Sequence, residues 1–200
     1  MRNEIKFRGF YSEHRAHLAK IGAYHCFPMR RINSIYLDTS GFDFFTDSEE
    51  GTVPRMKIRY RWYGEGRFSD AGAIELKKTL ATFREKEQIK IAGANFKKIQ
   101  ALCRDIAGFP VAPTVLVAYR REYFTDRSGS RFTLDYHIEY SAIDSELRAR
   151  NKSHEKSCIL EVKTDTAADA DALTTRFGDM RTRHSKYCEA VKSCHSDNLL

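Results

Sequence analysis

Residues 54–63, PRMKIRYRWY, alternate with a period of two: Arg55, Lys57, Arg59 and Arg61 fall on one side, and Met56, Ile58, Tyr60 and Trp62 on the other. Successive side chains of a strand point to opposite faces, so this stretch predicts a strand with one dry face and one cationic face. The same period recurs outward along the chain, at residues 3–8, 73–78, 84–91, 114–124, 131–140 and 157–164, and residues 32–37 read as a further strand. In 73–78, Glu75 and Lys77 lie opposite Ile74 and Leu76; in 157–164, Glu161 and Lys163 lie opposite Leu160 and Val162. In 131–140, Arg131, Thr133, Asp135, His137 and Glu139 alternate with Phe132, Leu134, Tyr136, Ile138 and Tyr140. The first run sets Glu4, Lys6 and Arg8 opposite Ile5 and Phe7.

Between the strands, residues 11–22 read as a short helix, with Ser12 as N-cap and Gly22 as its stop. Residues 94–107 predict an amphipathic helix with Phe96, Ile99, Leu102, Cys103 and Ile106 on one face. Residues 40–53 read as a loop with an aromatic cluster, and 167–194 as one or two helices broken near Thr182–Ser185. About eight strands and a few helices make an α+β chain dominated by antiparallel sheet. No repeat, low-complexity tract or linker divides it, so residues 1–200 are expected to form one domain.

Charge narrows the partners only in part. The chain carries 34 Lys and Arg against 27 Asp and Glu, a formal charge of +7, which favours a polyanion without choosing among polyanions. No apolar run approaches the ~18 residues that span a bilayer, and the charged start MRNEIKFRGFYSEHR lacks the apolar core of a signal peptide. The expected location is the cytoplasm. Five widely spaced cysteines with no CxxC pair fit reduced, mostly buried thiols, and Cys188, Cys194 and His195 match no common zinc spacing. His14 and His17 are expected on the surface of the first helix. His137 shares the face of Arg131 and Asp135.

An antiparallel strand with one wet face accounts for any one of these patterns alone. The set is more specific, because Glu4/Lys6, Glu75/Lys77 and Glu161/Lys163 repeat one E-x-K arrangement where solvated faces would also hold Thr, Ser, Gln and Asn. Such faces point to one shared, charge-lined interior, as in a sheet of about eight strands closed on itself around a narrow lumen. Crowded cations repel one another and lose hydration there, and interspersed carboxylates lower that strain. Arg grips phosphate through paired hydrogen bonds, Lys acts as a point charge, and Glu is a hard oxygen ligand for Mg2+ or Mn2+. The expectation is therefore a closed antiparallel β-barrel with a few flanking helices that binds metal-complexed phosphates.

The ordered set NEIKF (3–7), SIYLDT (34–39), MKIRYRWYG (56–64), IELKK (74–78), YRREYF (119–124), RFTLD (131–135), ILEVK (159–163) and SKYC (185–188) resembles the vacuolar transporter chaperone (VTC) domain. That domain belongs to the triphosphate tunnel metalloenzymes, alongside CYTH-type phosphatases and cyclases. The resemblance implies that Arg59, Arg61, Lys77, Arg121, Arg131 and Lys186 are the catalytic cations. It implies further that Lys6, Lys86 and Lys163 bind the substrate phosphates, and that Glu161, supported by Glu75 and Glu4, binds Mn2+ or Mg2+. Arg120 would face outward. The first strand reads E-x-K rather than the fuller E-x-E-x-K of the CYTH branch, which favours the VTC side. Where relatives carry K-x-R after the E-L-K-K segment, this chain has Lys86, Glu87 and Gln88. A membrane-protein partner is a further expectation, since many relatives carry a fused membrane or phosphate-sensing segment that this sequence lacks.

The implied reaction passes the γ-phosphoryl of a nucleoside triphosphate to a growing polyphosphate chain, which asks the protein for positioning and charge neutralisation rather than for a nucleophile. One alternative is a triphosphatase of the same fold. Another is a non-catalytic receptor for polyphosphate or nucleotides. Nucleic acid is not expected as a partner: Tyr60 and Trp62 alternate with the arginines and so belong to the packed face, not to a base-stacking surface.

Overall fold

The computed structural model describes residues 3–164, 171–172, 174–175, 177 and 181–196. Its elements are β1 (Asn3–Gly9), α1 (Tyr11–Lys20), β2 (Tyr24–Asp38), α2 (Asp43–Glu50), β3 (Arg55–Tyr63), β4 (Gly72–Thr79) and β5 (Arg84–Ile91), then α3 (Phe96–Ala107), β6 (Ala112–Thr125), β7 (Arg131–Ile143), β8 (Ala149–Glu155), β9 (Cys158–Thr164) and α4 (Lys186–Cys194). This is a mostly antiparallel α+β fold. The strands join in the order β1-β9-β7-β6-β2-β3-β4-β5, with β8 paired to β7. The expected closed barrel is corrected here: the path is open, and no pairing joins β1 to β5 among the described residues.

Three elements differ from the sequence reading. The segment 40–53, expected as a loop, contains α2. Its start is satisfied from outside the helix, because the Asp38 carboxylate accepts the N–H groups of Phe44 (2.9 Å) and Phe45 (3.0 Å). The helix ends at Gly51, in the left-handed region at φ 77°. β2 begins at Tyr24 rather than near residue 32, and its first part is exposed on both faces, so no alternation announces it. β8, ARNKSHE, was not expected and lacks an apolar face for the same reason. The helical expectation for residues 167–170 lies outside the described residues, as does part of 173–180.

The chain divides into two compact units. The first comprises Met1–Arg31, Tyr119–Ile138 and His154–His184; the second comprises Ile32–Ala118, Glu139–Ser153 and Ser185–Leu200. In the first unit, Ile5, Phe7, Phe132, Leu134, Leu160 and Val162 pack together as the dry face of β1, β9 and β7, and Leu18 of α1 joins them. His14 is buried on α1 instead of lying on the surface, and that burial holds its imidazole below the usual pKa. His137 is exposed at φ 48°, a conformation uncommon for residues other than glycine.

In the second unit, Ile58, Tyr60 and Trp62 of β3 and Ile74 and Leu76 of β4 pack against Phe96, Ile99 and Cys103 of α3. α3 starts where the Asn95 side chain accepts the N–H of Lys98 (3.0 Å) and stops at Gly108. Gly72 admits no side chain, since a Cβ there would sit 2.4 Å from the Arg61 carbonyl oxygen and 2.6 Å from the Tyr60 hydroxyl. Burying the apolar side of each strand leaves the charged side of the same strand outward from that core.

Candidate functional site

Within the second unit, antiparallel register sets the charged side chains in rows, because directly paired residues share a face. Tyr36, Arg59, Glu75 and Gln88 form one row across β2, β3, β4 and β5. On one side of it lie Ser34, Arg61, Ala73 and Lys90; on the other lie Lys57, Lys77 and Lys86, three lysines in successive cross-strand positions. Arg55, Thr79 and Arg84 follow. Glu75 is the one carboxylate in these rows and is only 3% exposed. Arg59 donates to its Oε2 from Nε (2.9 Å) and Nη2 (2.5 Å), Arg61 Nη1 lies 3.5 Å from Oε1, and Lys86 Nζ lies 3.6 Å from the same oxygen. Burial alone would raise the Glu75 pKa, but the charges of Arg59 and Arg61 outweigh it and hold the carboxyl at about 2.

Arg59 is fixed from a second side, where its Nη1 donates to the Tyr36 hydroxyl at 2.7 Å. Burial would raise the Tyr36 phenol, yet the charges of Arg59 and Arg61, the Arg59 hydrogen bond and the charge of Lys186 bring it below its usual pKa. Lys186, the first residue of α4, thus belongs to the same electrostatic neighbourhood. Lys57 Nζ donates to the Ser185 hydroxyl at 3.0 Å, and Ser185 caps α4. Lys77 is exposed, and so is Lys86 apart from its contact with Glu75.

Within the first unit, register aligns Glu4, Lys163 and Arg131 in one row, and Lys6, Glu161 and Thr133 in the next. Lys163 Nζ lies 2.8 Å from Glu161 Oε1 and 3.8 Å from Glu4 Oε2. Lys6 Nζ lies 3.4 Å from Glu4 and 4.0 Å from Glu161, and donates to the His184 carbonyl at 2.9 Å. Arg121 makes a two-point contact with Asp135, Nε to Oδ1 at 2.5 Å and Nη2 to Oδ2 at 2.7 Å. Burial opposes the charge of Arg121, but Asp135 more than compensates and raises its pKa. Burial likewise opposes the charge of Glu161, and Arg121, Lys6 and Lys163 hold that carboxyl well below the usual range. Arg131 is exposed at the start of β7, opposite Lys163.

Hard oxygen donors stand around Glu161. The Thr133 hydroxyl, cross-strand from Glu161, is buried and has no hydrogen-bond partner among the described residues. The ionised Glu161 carboxylate, the Thr133 hydroxyl paired with it and the Glu4 carboxylate, which shares Lys6 and Lys163 with it, are oxygen donors of the kind Mg2+ and Mn2+ favour.

The twelve residues singled out in the sequence thus fall into two groups. Lys6, Glu4, Glu161, Lys163, Arg121 and Arg131 lie in the first unit; Arg59, Arg61, Glu75, Lys77, Lys86 and Lys186 lie in the second. Sequence reasoning missed Thr133 as an oxygen donor, Asp135 as the partner of Arg121, and the Tyr36–Arg59 bond. The alternation placed Thr133 and Asp135 on the charged face, and that was the signal available for them. Asp38 and Tyr187, inside the quoted SIYLDT and SKYC motifs, were given no role.

The sequence profile of the VTC domain matches residues 27–195. A comparison with curated proteins gave no match. Among solved structures, the chain is similar to the PH1012 protein from Pyrococcus horikoshii OT3 (15% identity, TM-score 0.59, covering 95% of this chain and 99% of that one). It is also similar to HpAC1 from Hippeastrum, a candidate adenylyl cyclase described as having a dominant triphosphatase activity (14% identity, TM-score 0.60, 97% of each chain). At such identities the likeness concerns the fold. No helix among the described residues is long and apolar enough to cross a membrane.

Proposed function

The chain belongs to the VTC domain family, and from that premise we propose that it is a metal-dependent phosphotransferase passing the γ-phosphoryl of a nucleoside triphosphate to a growing polyphosphate chain. The observation that carries this reading is the excess of cations on the β3–β4–β5 face, where Glu75 stands alone among the paired arginines and lysines. From Arg55 to Arg61 that face runs roughly 20 Å at about 3.3 Å per residue. A field of that length suits an anion longer than a triphosphate. Like charges directly opposite one another destabilise a sheet, so the row of Lys57, Lys77 and Lys86 gains from a bound polyanion.

In this reading Arg59 and Arg61 hold phosphate oxygens through their guanidinium N–H groups, and Lys57, Lys77, Lys86 and Lys186 supply point charges. Glu75, engaged by Arg59, Arg61 and Lys86, orients those cations rather than holding the metal. Glu161, Thr133 and Glu4 would hold the divalent ion, with Lys6 and Lys163 balancing their charge and Arg131 opposite. A divalent ion held there would supply charge neutralisation to phosphate oxygens bound beside Lys6, Lys163 and Arg131 of the same unit. Arg121 is committed to Asp135 and stiffens the β6–β7 pair behind Glu161. The acceptor is itself a phosphate, so no side-chain nucleophile is needed.

The competing reading is hydrolysis of the same triphosphates, favoured by the activity described for HpAC1 on a similar fold. Incubation with γ-labelled ATP and Mn2+, followed by gel sizing, separates the two. Long labelled polyphosphate supports the polymerase, orthophosphate alone supports the hydrolase, and metal-independent binding without turnover supports a receptor.

A further inference from the structure

Two of the motifs that mark this chain meet at a contact that the reaction as drawn does not use. Asp38 closes β2 and is fully buried. Its Oδ1 accepts the N–H groups of Thr39 (2.8 Å) and Phe44 (2.9 Å), and its Oδ2 accepts the N–H of Phe45 (3.0 Å) and the hydroxyl of Tyr187. Tyr187, 2% exposed, is the second residue of α4, directly after Lys186. Its ring stacks on Tyr36 with centroids 5.0 Å apart and planes 26° apart, and the Tyr36 hydroxyl accepts the hydrogen bond of Arg59. All of these residues lie in the second unit.

A purely apolar anchor would seat α4 with a Phe at this position. The phenol instead reaches a carboxylate already fixed by three backbone donors at the end of a strand, and a buried charge-assisted hydrogen bond is directional as well as strong. Burial, and then the Asp38 charge, push the Tyr187 phenol up, while burial raises the Asp38 carboxyl against the hydrogen bonds it accepts from Tyr187 and three backbone N–H groups. Both Asp38 oxygens already accept backbone N–H groups, so the phenol is the donor and the carboxylate the acceptor. This bond fixes the rotation of α4 about its own axis at the turn that carries Lys186. Lys57 to Ser185 and Lys192 to Glu49 hold the same helix at its cap and near its far end.

We propose that Tyr187 and Asp38 are positioning residues for phosphoryl transfer, their hydrogen bond holding Lys186 in the electrostatic field of Tyr36, Arg59 and Arg61. Neither side chain touches the substrate; they act through Lys186. The assignment rests on the proposed phosphotransferase reading, and its test separates the two.

Tyr187→Phe keeps the ring and the stack and removes only the hydroxyl. Four proteins decide the matter: wild type, Tyr187→Phe, Lys186→Met and the double variant, each measured for Mn2+-dependent turnover of ATP, for binding of inorganic triphosphate by calorimetry, and for thermal midpoint. The expected result is a loss of about tenfold or more in turnover or triphosphate affinity for Tyr187→Phe, the scale of a misplaced group near the chemistry. The same change should cost nothing further in the Lys186→Met background, while the thermal midpoint falls by the same amount in both backgrounds. An equal loss in both backgrounds, or no loss in either, overturns the positioning role and leaves a structural one. A wild type that neither turns over ATP nor binds triphosphate overturns the functional reading instead. The positioning claim is then settled by 13C-dimethyl-lysine NMR: Tyr187→Phe must shift or broaden the Lys186 resonance, and an unmoved resonance overturns the claim.

Discussion

On the β1–β9–β7 face, carboxylates and cations are closely matched. Glu4 and Glu161 sit between Lys6 and Lys163, and Asp135 faces Arg121. On the β3–β4–β5 face, Glu75 alone answers Arg59, Arg61 and Lys86, with Lys57 and Lys77 in the next row. Both faces arise from the same alternation, yet their physics differs. The balanced face sets carboxylates among its cations and keeps Glu161 ionised, although Arg131 there lies opposite a second cation, Lys163. The unbalanced face sets Lys57, Lys77 and Lys86 in directly paired positions, an arrangement that favours a bound polyanion. We propose metal chemistry on the first and phosphate binding on the second.

The comparison breaks most visibly at the buried pair of the balanced face. Arg121→Met removes the two-point contact to Asp135, 0% exposed, and should cost about 3–5 kcal/mol in a denaturant titration. Next is the metal role: Glu161→Gln is expected to lower Mn2+-dependent turnover about a thousandfold, with circular dichroism unchanged. The third concerns the linkage of Glu75. Its folded pKa of about 2 lies below the usual 4.5, so its stabilisation is complete above pH 4.5 and disappears as pH falls through 2. The stability difference between wild type and Glu75→Gln should be about 3 kcal/mol at pH 7 and should vanish across that window. The smallest effect sharpens the contrast. Lys77→Met should weaken triphosphate binding and reduce its dependence on salt, read by titration at two salt concentrations.

Much of this was legible because a strand writes its two faces directly into sequence. The period of two placed Arg59 with Arg61, Glu75 with Lys77 and Glu161 with Lys163 on shared strand faces, but not which strands lie side by side. Where a strand is exposed on both faces, as in β8 or the first part of β2, that signal is missing and the strand goes unread. α2 was missed because its start depends on a carboxylate at Asp38, outside the helix. The Asp38–Tyr187 bond joins residues 149 apart in sequence, and a single sequence carries no sign of such a pairing. Closure of the sheet was inferred from charge, but charge on a face does not decide which edges pair.

The most direct test of the division of labour is a calorimetric titration of Mn2+ in the presence of saturating inorganic triphosphate. The account predicts stoichiometric Mn2+ uptake by the wild type, lost in Glu161→Gln and retained in Lys77→Met. Undiminished Mn2+ uptake by Glu161→Gln would contradict it.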